Sequence, residues 1–212
     1  MDRPVVVLGA GGHAKVIIDI LLHQGVSILG IVVHDRTKIG EKFLGVPIIG
    51  NDADVLQYST QSIYLVNALG SIGSTEVRRM LFIKFKTQGY NFATVVHSSA
   101  IIAADVQMKE GTQVMAGAVI QTGCIIGENS IVNTRASIDH DCLIGSDVHI
   151  SPGVTICGGV IVGAGTHIGA GTTLIQEIKV ASNCIIGAGS VVIRNISANR
   201  VAFGNPAKEV RT

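Results

Sequence analysis

Residues 114–150 read VMAGAVIQTGCIIGENSIVNTRASIDHDCLIGSDVHI. Every sixth residue is aliphatic: Val114, Ile120, Ile126, Val132, Ile138, Ile144 and Ile150. The register continues outward in both directions without a break. It reaches back through Met108 and Ile102 to Val96. It runs forward through Ile156, Val162, Ile168, Leu174, Val180 and Ile186 to Val192. A strict short period marks a solenoid, in which each repeat buries its apolar residue only by stacking on its neighbours. An amphipathic helix would need a period of 3.6 residues, which a step of six does not supply.

A second column supports the first. Two positions before the aliphatic, the residue is mostly small: Ala100, Thr112, Ala118, Cys124, Ser130, Ala136, Cys142, Thr166, Thr172, Cys184 and Ser190. Gly127, Gly145, Gly163, Gly169 and Gly187 come directly after it. A six-residue unit is too short for a helical repeat but fits a short strand plus a corner. Three units make one triangular coil of about 18 residues, and stacked coils lie about 4.8 Å apart, the usual strand spacing. The large aliphatic fills the prism and the small residue fits a corner. A narrow prism has no room for Trp, and the chain has none.

The 212 residues carry a formal net charge of +1, and 26 of them are Gly. That balance leaves no electrostatic footprint for nucleic acid. No charged leader precedes the first apolar run and Asp19 interrupts the longest early one. A signal peptide and a membrane span are therefore not expected, and the cytoplasm is the expected compartment. Of the four cysteines, Cys124, Cys142 and Cys184 fall in the small-residue column and read as interior packing. Cys157 does not, and no CxxC pair points to zinc or redox chemistry.

Ahead of the solenoid, Val5–Leu8 reads as a short buried strand. Gly9-Ala10-Gly11-Gly12-His13 follows, then an apolar-periodic helix over 14–23 stopped by Gly25. A second strand over 28–33 ends at His34-Asp35. Gly9, Gly11 and Ala14 with Asp35 match a dinucleotide fingerprint, whose glycines let backbone N–H groups and a helix N-terminus approach phosphate oxygens. The same pattern also describes a tight strand–helix turn with no ligand. A third strand over 63–69, Gly70-Ser71, and a helix over 75–88 complete about 90 residues. That is half a full dinucleotide fold, large enough for a nucleotide-sugar head. The expected division is an α/β Rossmann-like half domain at 1–92, an all-β solenoid at 93–195 and a tail at 196–212.

Within the solenoid, Asn133-Thr134-Arg135-Ala136-Ser137-Ile138-Asp139-His140-Asp141-Cys142 stands out. His140 lies two residues past an interior aliphatic, so it faces outward at a corner. A neutral imidazole there can take a proton near pH 7. Asp141 or Asp139 can orient it and raise its basicity. A solvated corner histidine between two surface acids is the bland alternative. Gly158 follows by one full coil and should stack beside His140, where its bare backbone clears space for a ligand. His149 lies half a coil away on a flat face, with His167 one coil beyond. Both are expected to point outward, so that a cyclic trimer brings one subunit's His149 to another's His140.

The combination resembles the sialic-acid O-acetyltransferase and nucleotide-4-amino-sugar N-acetyltransferase (NeuD/PglD-like) family of hexapeptide-repeat acyltransferases. The resemblance covers essentially the whole chain. It rests on GAGGHAKV (9–16), VNTRASIDHDC (132–142), HISPG (149–153) followed by CGG (157–159), and FGNPAK (203–208). It implies a left-handed parallel β-helix, although parallel crossovers are generally right-handed. It implies His140 as the base and Asp141 as the group that raises its basicity. It places His149 on the acetyl group of acetyl-CoA, with Gly158, Ala170 and Ala188 along the CoA path and Asn133 near the reacting centre. Gly11, Gly12, His13, His34, Asp35 and Gly70 would hold the nucleotide sugar. The implied reaction is acetyl-CoA-dependent N-acetylation of a nucleotide-linked 4-amino sugar for surface glycan synthesis, by a homotrimer that needs no metal. His34-Asp35, and the absence of an Asn after Gly70, depart from the usual pattern and leave the nucleotide and sugar open.

Three other readings stand beside it. The same base can serve O-acetylation of a sialic acid or related sugar. A β-helix zinc hydratase would use His140, His149 and His167 as ligands, but the short His pair of such enzymes is missing. A non-catalytic scaffold would leave His140 without a role.

Overall fold

The computed structural model describes residues 1–210. The chain divides into two compact units, Met1–Gly70 with Met80–Val95, and Ser71–Arg79 with the chain from Val96 onward.

The first unit is built on β1 (Val5–Leu8), which is fully buried. It pairs in parallel with β2 (Ile28–Val32) on one side and with the Tyr64–Asn67 strand on the other. A hairpin of β3 (Lys42–Phe43) and β4 (Val46–Gly50) extends the sheet beyond β2, and Tyr64–Asn67 is β5, giving the order β3-β4-β2-β1-β5. Helix α1 (Gly12–His23) buries Ala14, Ile17, Ile18 and Leu21 at the spacing of one helical face, with Ile20 buried beside them. Helix α2 (Glu76–Thr87) sends Phe82 and Phe85 into a cluster with Val6, Leu8, Val32 and Leu65. Two details differ from the sequence reading. Helix α1 starts at Gly12, because a Gly N-cap ends the loop there. The β3–β4 hairpin was not anticipated, since Gly45 and Pro47 interrupt any strand period.

The second unit is the left-handed parallel β-helix. Two-residue strands recur every six residues from Val95–Val96 to Val191–Val192. They pair in strict 18-residue register, as in Ile131↔His149 and His149↔His167 on one face, Val119↔Ser137 on the next and Ile125↔Leu143 on the third. The aliphatic column from Val114 to Val192 is buried, with Val96, Ile102 and Met108 packed against it at the open end. The small-residue column lies inside too: Thr112, Ala118, Ser130, Ala136, Thr166, Thr172 and Ser190 are all 0% exposed. Its hydroxyls bond inward to the next coil, as Thr166 Oγ1 does to the Ala181 carbonyl (2.9 Å). Cys142 behaves as packing, its thiol pushed up to about 12 mainly by burial.

From Gly111 to Gly189 each corner turns on a positive φ, three residues past the aliphatic. Gly serves at positions such as Gly117, Gly153 and Gly171, Asn or Asp at Asn129, Asp141, Asp147 and Asn183, and Arg135 and Glu177 hold two more. Asn and Asp are the side chains that tolerate this region best. The tail ends in two short strands. Val201–Gly204 adds to the face of Ile185–Ile186 and turns back through a cis Asn205–Pro206 bond into Ala207–Val210. The last two residues of the expected 196–212 tail lie outside the described residues.

Candidate active site

His140 and Asp141 occupy a corner that follows the Ser137–Ile138 strand. The positive φ at Asp141 (59°) folds its carboxylate back onto the preceding ring. Asp141 Oδ2 lies 2.8 Å from His140 Nδ1, and Asp139 Oδ1 accepts the His140 backbone N–H at 2.8 Å. The two acids therefore do different jobs: one holds the ring and the other holds the corner. The hydrogen bond to Asp141, then the charge of Asp139, raise the His140 pKa above its usual 6.5. With the Nδ1 proton shared with Asp141, the Nε2 lone pair is the free basic site.

Gly158 stacks on His140 one coil along. A Cβ at Gly158 would stand 2.6 Å from both Cε1 and Nε2 of the ring, so only glycine leaves the imidazole where it is. The Gly159 N–H bonds the His140 carbonyl at 2.9 Å and locks the stack. A groove of about 540 Å³ opens here, lined by Asp139, His140, Asp141, Cys157, Gly158, Gly159, Gln176 and Glu177.

His149 and His167 lie on a different face. They were expected to point outward toward a neighbouring subunit; what the structure adds is a cover from the same chain. The two residues are 6% and 9% exposed, and Ser71 of the same chain lies against both rings. Ser71 Oγ is 2.5 Å from His149 Nδ1 and 3.4 Å from His167 Nδ1. The rings stack edge to face with centroids 5.0 Å apart. Asn133 Nδ2 is 3.2 Å from His149 Nε2, and Ser151 Oγ is 3.4 Å from His167 Nε2. Burial lowers the His167 pKa. Asn133 is thus gathered with His149 rather than with His140. Ala170 and Ala188 stack on each other at the corner that follows this face, joined by the Gly189 N–H to the Ala170 carbonyl (2.8 Å), and both are exposed. Within one chain, Gly158 belongs to the His140 corner, and Ala170 and Ala188 to another. Among the described residues no group of three or more His, Cys, Asp or Glu is placed to hold a metal ion.

The segment that supplies Ser71 is pinned at several other points. Thr75 Oγ1 donates to the Gly165 carbonyl (3.1 Å), Arg78 Nε to the Asn129 carbonyl (3.1 Å), and Arg79 pairs with Asp147 (3.7 Å). The sequence reading missed all of these. They fall in no repeat register, and the residues they join are 51 to 90 positions apart.

In the first unit, the nucleotide-sugar candidates collect at the carboxyl ends of β1, β2 and β5. Gly11 caps α1, and Gly11 and Gly12 have open space where a side chain would be. His13 lies against Gly70, whose added Cβ would meet the His13 Cβ at 3.1 Å. The chain leaves β1 toward β2 and returns on the other side of β1 at β5, so these loops flank a topological switch point, where open α/β sheets bind ligands. His34 and Asp35 follow β2 and are exposed. Asp35 Oδ1 takes both the N–H (3.0 Å) and the hydroxyl (2.6 Å) of Thr37, which hold its carboxyl below the usual range.

Known proteins share this architecture. The family model described as the PglD N-terminal domain matches residues 4–85, and that of the bacterial transferase hexapeptide (six repeats) matches residues 141–176. PerB from Caulobacter crescentus, solved with CoA and GDP-perosamine, superimposes with a TM-score of 0.91 at 35% identity over 100% of this chain and 99% of that one. The acetyltransferase domain of PglB from Neisseria gonorrhoeae, solved with acetyl coenzyme A, gives a TM-score of 0.90 at 32% identity over 99% and 100%. Over 77 residues the chain is 34% identical to the uncharacterized protein L142 of Acanthamoeba polyphaga mimivirus, a match spanning 36% of this chain and 14% of that protein.

Proposed function

The chain belongs to the NeuD/PglD-like family of hexapeptide acyltransferases, and from that membership we propose that it transfers acetyl from acetyl-CoA to the amine of a nucleotide-linked 4-amino sugar. The observation that carries the reading is the His140–Asp141 pair, with the ring held at Nδ1 and Nε2 beside a groove that Gly158 keeps clear. Neutral His140 accepts the amine proton at Nε2 as the amine nitrogen bonds to the thioester carbonyl carbon. The C–S bond then breaks, and the proton passes to the departing CoA thiolate. A positioned base of this kind contributes typically 10²–10⁴-fold.

Two stretches of the chain divide the work. Residues 1–92 hold the nucleotide sugar through Gly11, Gly12, His13, His34, Asp35 and Gly70, and residues 93–195 carry the transfer. His149, Gly158, Ala170 and Ala188 serve acetyl-CoA, with Asn133 near the reacting centre. Because Gly158 and Ala170 stand at separate corners of one prism, a complete CoA path is assembled between subunits of a homotrimer. Leu143 and Ile161, stacked outward on one face at 43% and 39% exposure, are the apolar strip that supports this assembly. Among the described residues no helix is long and apolar enough to cross a membrane. We place the enzyme in the cytoplasm, in polysaccharide biosynthesis.

The amine is favoured over a hydroxyl by the likeness to a protein described as GDP-perosamine N-acetyltransferase, 33% identical across the whole chain. The test is a panel of UDP-, GDP- and dTDP-sugars, each offered as a 4-amine and as the matching alcohol, with acetyl-CoA. N-acetylation of at least one amine, well ahead of its alcohol, is expected. Faster acetylation of the alcohols, or of free sialic acid, would make this an O-acetyltransferase.

A further inference from the structure

We infer that Ser71 is a positioning residue for the transfer, accepting the Nδ1 proton of His149 and so holding the tautomer that the Asn133 amide requires. The inference rests on the acetyltransferase reading above. It starts at Asn133. The Thr134 N–H donates to Asn133 Oδ1 at 2.8 Å, so the amide nitrogen is the end that faces His149 Nε2 at 3.2 Å. An amide nitrogen only donates, so Nε2 must be the accepting nitrogen of His149. The neutral ring therefore carries its proton on Nδ1 and donates it to Ser71 Oγ, 2.5 Å away. The Ser71 hydroxyl proton is then directed to His167 Nδ1, and His167 Nε2–H to Ser151 Oγ.

The direction of the chain excludes one alternative and favours another. A serine beside a buried histidine invites comparison with a hydrolytic nucleophile, but His149 gives a proton to Ser71 here and cannot also remove one. Asn133 calls for the less common Nδ1–H form of the ring, and Ser71 accepts that buried proton and so holds the form in place. In that form Nε2 accepts one Asn133 amide hydrogen, and the second hydrogen is directed to the reacting acetyl group. In the Nε2–H form the amide would turn over and set its nitrogen against the Thr134 N–H.

The test uses Ser71→Ala and Ser71→Thr in the full chain. Thr75 and Arg78 pin the segment independently, so both variants should melt at the wild-type temperature. In protein labelled with ¹⁵N-histidine, and assigned with His149→Gln, long-range ring correlations should show Nδ1–H for His149 in the wild type and in Ser71→Thr, and Nε2–H in Ser71→Ala. In steady state, Ser71→Ala should lose between about tenfold and a hundredfold in kcat, with both KM values within about twofold, and Ser71→Thr should recover most of the loss. An Nε2–H ring in the wild type overturns the inference. So does Ser71→Ala with unchanged kcat, or with its whole effect in the KM of the nucleotide sugar, which would mark a merely structural loop. The ring spectrum does not depend on turnover. Absence of acetyl transfer would therefore defeat the functional reading while leaving the tautomer to be judged separately.

Discussion

His140 owes its chemistry to two neighbours in sequence and one neighbour in space. Asp141 reaches the ring only because a corner residue with positive φ turns its carboxylate back. Gly158 matters because it has no side chain to collide with the ring. Catalysis needs the neutral ring, so activity should be absent in acid and rise as pH passes the His140 pKa, which lies above the ordinary 6.5. Removing the hydrogen bond that raises it should move the inflection down: Asp141→Asn should show a pH–rate midpoint at lower pH than wild type and a smaller plateau. An unchanged midpoint would mean that another group titrates. His140, Asp141 and Gly158 were legible because the repeat turns spacing into position, and 18 residues is one coil. Ser71 was not, because a lone serine in a Gly-Ser loop carries no sign of a contact 78 positions away.

The coil is the element that made the reading possible. Its period could be counted, and the strand pairings follow it residue by residue from Ile101↔Val119 to Leu174↔Val192. Each interior aliphatic contributes roughly 1.5–3 kcal/mol by burial. Ile150 is 0% exposed between Val132 and Ile168. Ile150→Asp would place an unpaired charge there, and circular dichroism should show the β-helix lost or its melting point sharply lowered. A wild-type melt would contradict the packing. The elements without a period were read less well. The β3–β4 hairpin is short and broken by Gly45 and Pro47. The final strands pair as an antiparallel hairpin, so the six-residue step that ends at Val192 said nothing of them. The histidine face was read correctly in register, but its cover from the same chain was not read. A period fixes which way a side chain points from its own coil, and not what a distant segment lays over it.

At the scale of the whole molecule, two sites must cooperate. His13→Ala and Asp35→Ala alter loops at the carboxyl edge of the α/β sheet. They should raise the KM for the nucleotide sugar far more than that for acetyl-CoA, and an equal rise in both would mean the two sites have been exchanged. Leu143→Glu sets a charge on the apolar strip. In sedimentation it should shift a trimer toward monomer, with loss of activity, because the proposed CoA path spans subunits. An active wild-type monomer would refute the shared path. The central claim is that His140 takes the proton from an amine acceptor. It is tested most directly by product mass and rate for a nucleotide-linked 4-amino sugar with acetyl-CoA, comparing wild type with His140→Ala. The account predicts one acetyl group on the amine and a fall in kcat of about 10²–10⁴-fold in the variant, with acetyl-CoA binding retained. A variant keeping more than about a third of the wild-type rate, far less loss than a base should cause, would contradict it.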